Sequence, residues 1–372
     1  MKILNIITGL NNGGAEAVLY RLCVHDSNYK HIVISLMNEG KYGRLLKEAG
    51  VVVHCINMPA GRVTLSGLYK LFKLIRKLKP NVVQTWMFHS DLIGGIIARL
   101  AGIKNVFWNI RSTALKPETS TYSTIMIRKL CAKLSKMIPK RIVCNAKKAV
   151  EVHGSIGFET SKMTVIANGY DLSKLCVIPN SQAQLKKELG DVFPLIGMVA
   201  RFNPLKEHFD LLDAFSIVKK TGVPHKLVLV GNEINTSNIA LIGKIELLGL
   251  KDEVVLLDQR TDITTILNSL DLHILSSSSE GFPNVLAEAM ACSTPCVTTD
   301  VGDAAFIVGD AGWVVPPKNP QLLADAILIA LNEKKADPIK WARRKADCRK
   351  RIIDNFSIET MVKKYHEVWS RK

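Results

Sequence analysis

No uninterrupted apolar run in the chain approaches the ~18–20 residues needed to span a bilayer, so a transmembrane segment is excluded. No Cys-x-x-Cys pair occurs among the eight cysteines, and the closest two, Cys292 and Cys296, have no histidine nearby. That excludes the usual zinc ligand sets and leaves buried reduced thiols as the expectation. Asp-x-Asp is absent throughout. Aromatics are only 6%, with no zinc-finger, RNP-type or basic heptad pattern, which argues against a nucleic-acid binder. Acids are scarce: 33 Asp and Glu stand against 50 Lys and Arg, a net charge of +17. Such an excess points to an anionic partner, whether nucleic acid, anionic lipid or a phosphorylated substrate. The opening "MKILNIITGL" is short and lacks a small-residue cleavage site, so it reads as a first strand and not as a signal peptide, and a cytoplasmic protein is expected.

What is present is a globular chain of 372 residues with 47% hydrophobic content, enough for two domains at roughly 150 residues each. The runs "ILNIIT", "HIVISL", "VVVHCI", "NVVQTW", "NVFWNI" and "RIVCNA" alternate with helical patterns. A second series follows: "FPLIGMVA", "KLVLVG", "EVVLLD", "DLHILSS", "TPCVTT" and "GWVVPP". Continuous Val/Ile/Leu runs of this length suit parallel strands buried on both faces, and strand–helix alternation implies βαβ crossovers. The reading is α/β, two doubly wound domains, with the break inside residues 171–194. In such sheets ligands bind at the carboxyl ends of the strands, so useful motifs should follow strands.

Three do. "TGLNNGGAEAVLYRL" places Gly13 and Gly14 before the first helix, where glycine lets backbone approach an anion. The spacing is wrong for a dinucleotide fingerprint, and a flexible turn would look the same. "VARFNPLKEHFDLLDAF" carries Arg201 and Lys206 after the first strand of the second domain. Two cations converging on one loop suit a diphosphate; two solvated surface charges are the alternative. "SSSSEGFPNVLAEAMAC" places Glu280 on a loop and Pro283 at a helix start, where Asn284 and Val285 present backbone N–H groups. Glu288 lies about one turn further in. Acid, bare amides, then acid is the order of partners that a sugar–diphosphate–ribose needs. Decoration of a helix terminus is the plainer alternative. With no Asp-x-Asp to hold a divalent cation, Arg201, Lys206 and the helix terminus are the expected stabilisers of a leaving diphosphate, and no metal or other cofactor is expected.

With "GGAE", "ANGYD" (Asn168, Gly169, Asp171), Arg201-x4-Lys206, "LVLVGNE", "TDITTILNSLDLHILSSSSEGFPNVLAEAMACSTPCVTTDVGD" and "GWVVPPKNPQLLADAI", the chain resembles glycosyltransferase family 4. The resemblance implies the GT-B fold, two Rossmann-like domains facing across a cleft. It implies an acceptor domain over 1–175, a nucleotide-sugar domain over 176–354 and a last helix, 355–372, packing back on the first domain. It also implies a retaining transfer, a nucleotide-sugar donor (a UDP-sugar is expected), and no covalent enzyme nucleophile. By the same resemblance Glu280 contacts the transferred sugar, Glu288 the ribose, and Arg201 and Lys206 the diphosphate. The donor site is completed by Gly13, Gly14, Gly231, Asn232, Gln259, Arg260, Gly281, Phe282, Pro283, Asn284 and Val285. Many members carry a histidine after the fourth or fifth strand; here the stretch reads "FWNIRST", with Asn109 and Arg111, and His89 precedes it. These three are the acceptor-side candidates.

Charge suggests where the acceptor comes from. "LYKLFKLIRKLKP" sets Leu68, Leu71, Phe72, Ile75 and Leu78 on one helical face, with Lys70, Lys73 and Lys77 off it. No acid occurs from Thr119 through Val150, where Ile127, Leu130, Leu134 and Met137 recur beside Lys129, Lys133 and Lys136. Basic amphipathic helices suit an anionic membrane surface, although ordinary core-facing helices share the pattern. A lipid-linked glycan acceptor, a peripheral location on the inner face of a bacterial inner membrane and a role in surface polysaccharide synthesis (O-antigen, capsule or exopolysaccharide) are the expectation. A nucleotide-sugar epimerase of the same fold, or a basic nucleic-acid binder, are the alternatives.

Overall fold

The structure is a computed structural model that describes residues 1–112, 122–189, 194–222 and 225–370. Residues 119–121 of the acid-free stretch, 190–193 of the expected linker and 371–372 of the last helix lie outside them, as does the side chain of Ala183. The chain divides into two units, Met1–Gly169 with Ile358–Lys372, and Tyr170–Ser357.

In the first unit the strands are β1 (Lys2–Ile7), β2 (Lys30–Ser35), β3 (Val52–Cys55), β4 (Val82–Trp86), β5 (Val106–Ile110), β6 (Arg141–Cys144) and β7 (Met163–Val165). They form one sheet in the order β3-β2-β1-β4-β5-β6-β7, every pair parallel. β7 is too short and too little buried to be read from periodicity in the sequence. Leu4 and Ile6 of β1 face one core, with Leu71, Ile75 and Ala98 from the helices Leu65–Leu78 and Phe88–Leu100. Ile3 and Ile7 face the other, with Val18, Leu19 and Leu22 of the helix Gly14–His25. Burial on both faces is why these strands read as unbroken apolar runs.

The helix Ile358–Ser370 closes this second face with Ile358, Met361, Tyr365, Val368 and Trp369. Polar groups beneath it are paired rather than absent. Trp369 Nε1 donates to Gln84 Oε1 (3.0 Å), and Trp86 Nε1 to Asn5 Oδ1 (3.0 Å). Asp26 Oδ2 is shared by His31 (3.0 Å) and His366 (2.7 Å). Satisfying buried polar groups in this way avoids a penalty of about 1–3 kcal/mol apiece.

In the second unit the strands are β8 (Leu195–Val199), β9 (Lys226–Val230), β10 (Val254–Leu256), β11 (Leu272–Leu275), β12 (Cys296–Thr299) and β13 (Trp313–Val315). Their order is β10-β9-β8-β11-β12-β13, again all parallel. The helices His208–Lys219 and Pro320–Ala336 supply Leu211, Phe215, Leu323 and Ile327 to its core. Both sheets reverse their direction of growth, between β1 and β4 and between β8 and β11. At those switch points neighbouring strands send their following segments to opposite sides, and a crevice opens at the carboxyl ends.

The unit boundaries fall at 169/170 and 357/358, beside the expected 175/176 and 354/355. The reason is a tie at the junction: Tyr170 N–H donates to Phe356 O (2.9 Å) and Tyr170 bridges to Ser357. All eight cysteines are free thiols.

Tyr365 tests the closing helix, because its hydroxyl accepts a hydrogen bond from Asn109 Nδ2 (2.7 Å) inside the core. Tyr365→Phe should lower the urea-unfolding free energy by about 1–3 kcal/mol, and Tyr365→Ala by about 3–5 kcal/mol. Unchanged midpoints in both variants would show that the helix contributes no packing.

Candidate active site

β8 and β11 are hydrogen-bonded neighbours, and the segments after them carry Arg201, Lys206 and Glu280. After β8 the chain runs into the 3-10 turn Pro204–Lys206, whose N-cap Asn203 accepts from Leu205 N–H (3.0 Å). Glu207 then takes a left-handed conformation (φ 51°), and the helix His208–Lys219 begins after it. Lys206 thus lies just before the helix, on the turn. The run Ser276–Glu280 after β11 is stitched to it: Ser276 Oγ donates to Lys206 O (2.9 Å) and Ser278 N–H to Leu205 O (2.9 Å).

That stitching brings Lys206 Nζ to 2.5 Å from Glu280 Oε1, with the two side chains 23% and 14% exposed. Ser277 Oγ donates to the same oxygen (2.7 Å). The cation and hydroxyl converge on one carboxylate oxygen and fix its direction. His273, fully buried on β11, is pushed down to about 3 by burial and then by the Lys206 charge, so it stays neutral under the site. Arg201 is exposed at the end of β8 and has no ion-pair partner among the described residues.

The helix Asn284–Ala291 opens with Pro283 as N-cap, and Leu286 N–H closes on Pro283 O (3.2 Å). Asn284 Oδ1 accepts from Tyr170 Oη (2.7 Å), which anchors the start of the helix. Val285 and Glu288 are half-buried. Phe282 turns inward, its ring 5.9 Å from Phe356 in an edge contact, so only its backbone faces the loop.

At the end of β9, Gly231 adopts φ 153°, and a Cβ there would lie 2.1 Å from Ala200 O. Only glycine lets this loop close on the end of β8. Asn232 and Gln259 are exposed beside it. Arg260 is already engaged, both Nε and Nη2 on Asp262 (2.8 Å each) and Nη1 on Glu188 (2.9 Å). These carboxylates, Asp262 first, hold its guanidinium pKa above the usual value.

In the first unit Gly13 is the N-cap of the helix Gly14–His25 and Gly14 its first residue. A Cβ on Gly14 would meet nothing within 4 Å, so backbone packing does not demand glycine there. Gly40 is the position where it does (φ 56°), since a Cβ would fall 2.3 Å from Leu10 O. His89 lies half-buried in the first turn of the helix after β4, its pKa lowered by burial. Its neighbour Ser90 hydrogen-bonds Thr8 after β1 (3.0 Å), which sets His89 at the switch point. Arg111, following β5, bonds Asn168 Oδ1 and lies over the Trp86 ring (5.7 Å). Asn109 does not reach the rim: it is fully buried and donates to Tyr365.

Residues 173–346 match the family described as "Glycosyl transferases group 1", and residues 12–174 match "Glycosyltransferase Family 4". The chain belongs to glycosyltransferase family 4. It is 24% identical over 315 residues to the Escherichia coli UDP-Gal:alpha-D-GlcNAc-diphosphoundecaprenol alpha-1,3-galactosyltransferase, covering 82% of this chain and 79% of that one. It is 27% identical to the Staphylococcus aureus capsular polysaccharide biosynthesis glycosyltransferase CapM, covering 82% and 80%. Anabaena Alr3699/HepE, crystallised with UDP, superposes with a TM-score of 0.85 at 22% identity over 100% of both chains. The fold of this glycosyltransferase is GT-B, as its motifs implied.

Two residues escaped the sequence reading of the family's glutamate loop. Gly302 (φ 57°) sits where a Cβ would be 2.4 Å from Gly281 O and 2.6 Å from Glu280 O. Its neighbour Asp303 N–H donates to Gly281 O (3.0 Å). Ser277 directs the Glu280 carboxylate. The "DVGD" stretch was visible as part of the family pattern, but its distance along the chain hid its contact with Glu280. Among the described residues no group of three or more His, Cys, Asp or Glu is placed to hold a metal ion.

Gly302→Ala should cost about 1–3 kcal/mol through the left-handed backbone alone, and more through the clash. Displacement of Glu280 should reduce transfer at least tenfold under conditions where circular dichroism still reports a folded chain. Wild-type turnover in that variant would show that Gly302 does not hold the loop.

Proposed function

We propose that this glycosyltransferase is a retaining, metal-independent hexosyltransferase that uses a UDP-sugar. The observation carrying the reading is the Lys206–Glu280 pair at the β8/β11 switch point, with Arg201 exposed just after β8 and the helix Asn284–Ala291 following Glu280 in the chain. A diphosphate laid there meets two cations and the backbone amides at Asn284 and Val285. Glu280 accepts hydrogen bonds from the sugar hydroxyls, and Glu288 from the ribose. Gly231, Asn232, Gln259 and Arg260 border the base. The UDP bound by the Anabaena protein supports the choice of nucleotide.

In this reaction the bond from the sugar's anomeric carbon to the diphosphate oxygen breaks, and a bond to an acceptor hydroxyl oxygen forms on the same face. The acceptor proton passes to the leaving diphosphate oxygen. Glu280, already holding a cation and a hydroxyl on one oxygen, suits recognition and not nucleophilic attack. Arg201 and Lys206 stabilise the charge that develops on the diphosphate, work that a divalent metal does in other enzymes.

The acceptor is a lipid-linked glycan in surface polysaccharide synthesis, reached from the inner face of a bacterial membrane. Support comes from the diphosphoundecaprenol named for the E. coli relative and the capsular role named for CapM. His89 and Arg111 border the acceptor. No described helix is long and apolar enough to cross a membrane. The apolar face of Leu65–Leu78 is taken up by the core, with Leu71 and Ile75 buried and Leu68, Phe72 and Leu78 packed against them. The helix Tyr122–Leu134 differs: Tyr122, Met126 and Leu130 are 78%, 46% and 43% exposed, with Lys129 and Lys133 beside them, and Met137 beyond it is 75% exposed. An apolar stripe flanked by lysines is the chemistry of an anionic membrane surface.

The test is a thermal-shift panel of nucleotides and nucleotide-sugars with and without EDTA, followed by transfer assays. UDP and a UDP-sugar should raise the melting temperature equally in both conditions, and the product linkage should keep the donor's anomeric configuration by NMR. Glu280→Ala and Lys206→Ala should each reduce turnover roughly a hundred- to a thousandfold with the fold intact. Near-normal turnover in either variant removes that residue from the site. Isomerised sugar without acceptor would instead identify an epimerase.

A further inference from the structure

A cavity of about 520 Å³ lies at the edge of the first unit's sheet, between β3 and the helix Leu65–Leu78. It is two strands away from the β1/β4 switch point, so it is separate from the acceptor-side candidates. His54 and Cys55 line one wall, and Tyr69, Lys70, Lys73 and Lys77 the other. No acid lines it. Lys70 Nζ donates to Cys55 O (3.2 Å), which folds one cation across the end of β3. Lys73 Nζ lies 4.8 Å from the centre of the Tyr69 ring.

These three lysines have no carboxylate partner among the described residues. Glu39, the acid whose charge is felt at Cys55, is paired with Lys47 (2.8 Å). Lys70, Lys73 and Lys77 stand at i, i+3 and i+7 on one helix face, where like charges repel and weaken the helix. All three lysines are exposed, yet they line one wall of a concavity and do not fan out over a convex face. The opposing wall carries an imidazole whose pKa is lowered by burial and then by the Lys77 charge. Such an arrangement concentrates positive potential in one place.

We propose that this cavity is a second anion site, which takes a phosphate or diphosphate group. Lys73 and Lys77 supply the charge, Lys70 closes the floor, and Tyr69 and His54 offer hydrogen bonds to the remaining oxygens. The phosphate belongs either to a lipid headgroup or to a soluble ligand; the recognition chemistry is the same. The site does not depend on the reading of the donor site, since it lies in the other unit and uses none of the same residues.

The experiment follows the His54 imidazole by NMR in the full chain carrying Lys206→Ala, so that binding at the donor site does not dominate. One arm titrates inorganic diphosphate. The other adds vesicles of phosphatidylcholine with or without phosphatidylglycerol. Bound anion offsets the Lys77 charge, so the His54 pKa should rise on binding. The surface pair Lys73→Ala/Lys77→Ala should weaken binding at least tenfold while leaving circular dichroism and UDP-sugar turnover, measured with Lys206 restored, unchanged. A His54 response to diphosphate alone supports a soluble ligand; a response to phosphatidylglycerol vesicles alone supports a lipid headgroup; a response to both supports the shared chemistry. If His54 responds in neither arm, or if the double variant binds as tightly as its parent, the site does not exist.

Discussion

Lys206 and Glu280 lie on segments that belong to different strands, yet their side chains meet at 2.5 Å. Each is largely shielded from water, where an uncompensated charge is costly, so each requires the other. The pair can form only because β8 and β11 are neighbours although two strands, β9 and β10, separate them in the chain. Much else in the second unit serves that closeness. Ser276 and Ser278 bind the two segments together, Ser277 aims the carboxylate, Gly302 lets the Asp303 segment support it from behind, and Gly231 lets β9's loop pack on β8's end. Under the proposed function, a diphosphate that competes for Lys206 frees a Glu280 oxygen to accept from sugar hydroxyls.

The first unit repeats the topology with different chemistry. Its switch point offers a helix N-terminus, small hydroxyls at Thr8 and Ser90, and a neutral His89. Cations are held back: Arg111 is tied to Asn168 and stacked over Trp86. Behind this rim the closing helix brings Tyr365 to Asn109, His366 to Asp26 and Trp369 to Gln84. The last residues of the chain therefore complete the polar interior of the first unit, which explains why that unit is discontinuous in sequence.

The large positive charge divides into separate uses once burial is known. Lys206 is spent on Glu280 and Arg260 on Asp262 and Glu188, so neither adds to the surface field at full strength. On the basic helices the outcome differs by face. Leu65–Leu78 buries Leu71 and Ile75, leaves Leu65 and Tyr69 exposed and lines a cavity with its lysines, whereas Tyr122–Leu134 buries Cys131 and Ala132 and leaves Tyr122, Met126 and Leu130 exposed beside its lysines. Helical periodicity is the same in both, and only the position of the neighbouring core separates them.

The sequence alone determined the class of fold, because strands buried on both faces must be apolar throughout and crossovers need helices between them. It also placed Arg201, Lys206, Glu280 and Pro283 after strands, where a doubly wound sheet exposes its ligand groups. Local pattern could not reveal β7, three residues long, nor that Asn109 faces the core and not the rim, since alternation in a doubly buried strand carries no inside and outside. Tertiary structure decided the rest. The Lys206–Glu280 contact, the clamp at Gly302 and the tie of Tyr170 to Phe356 join residues far apart in the chain. Their proximity follows from strand order, which is a property of the assembled sheet and not of any segment within it.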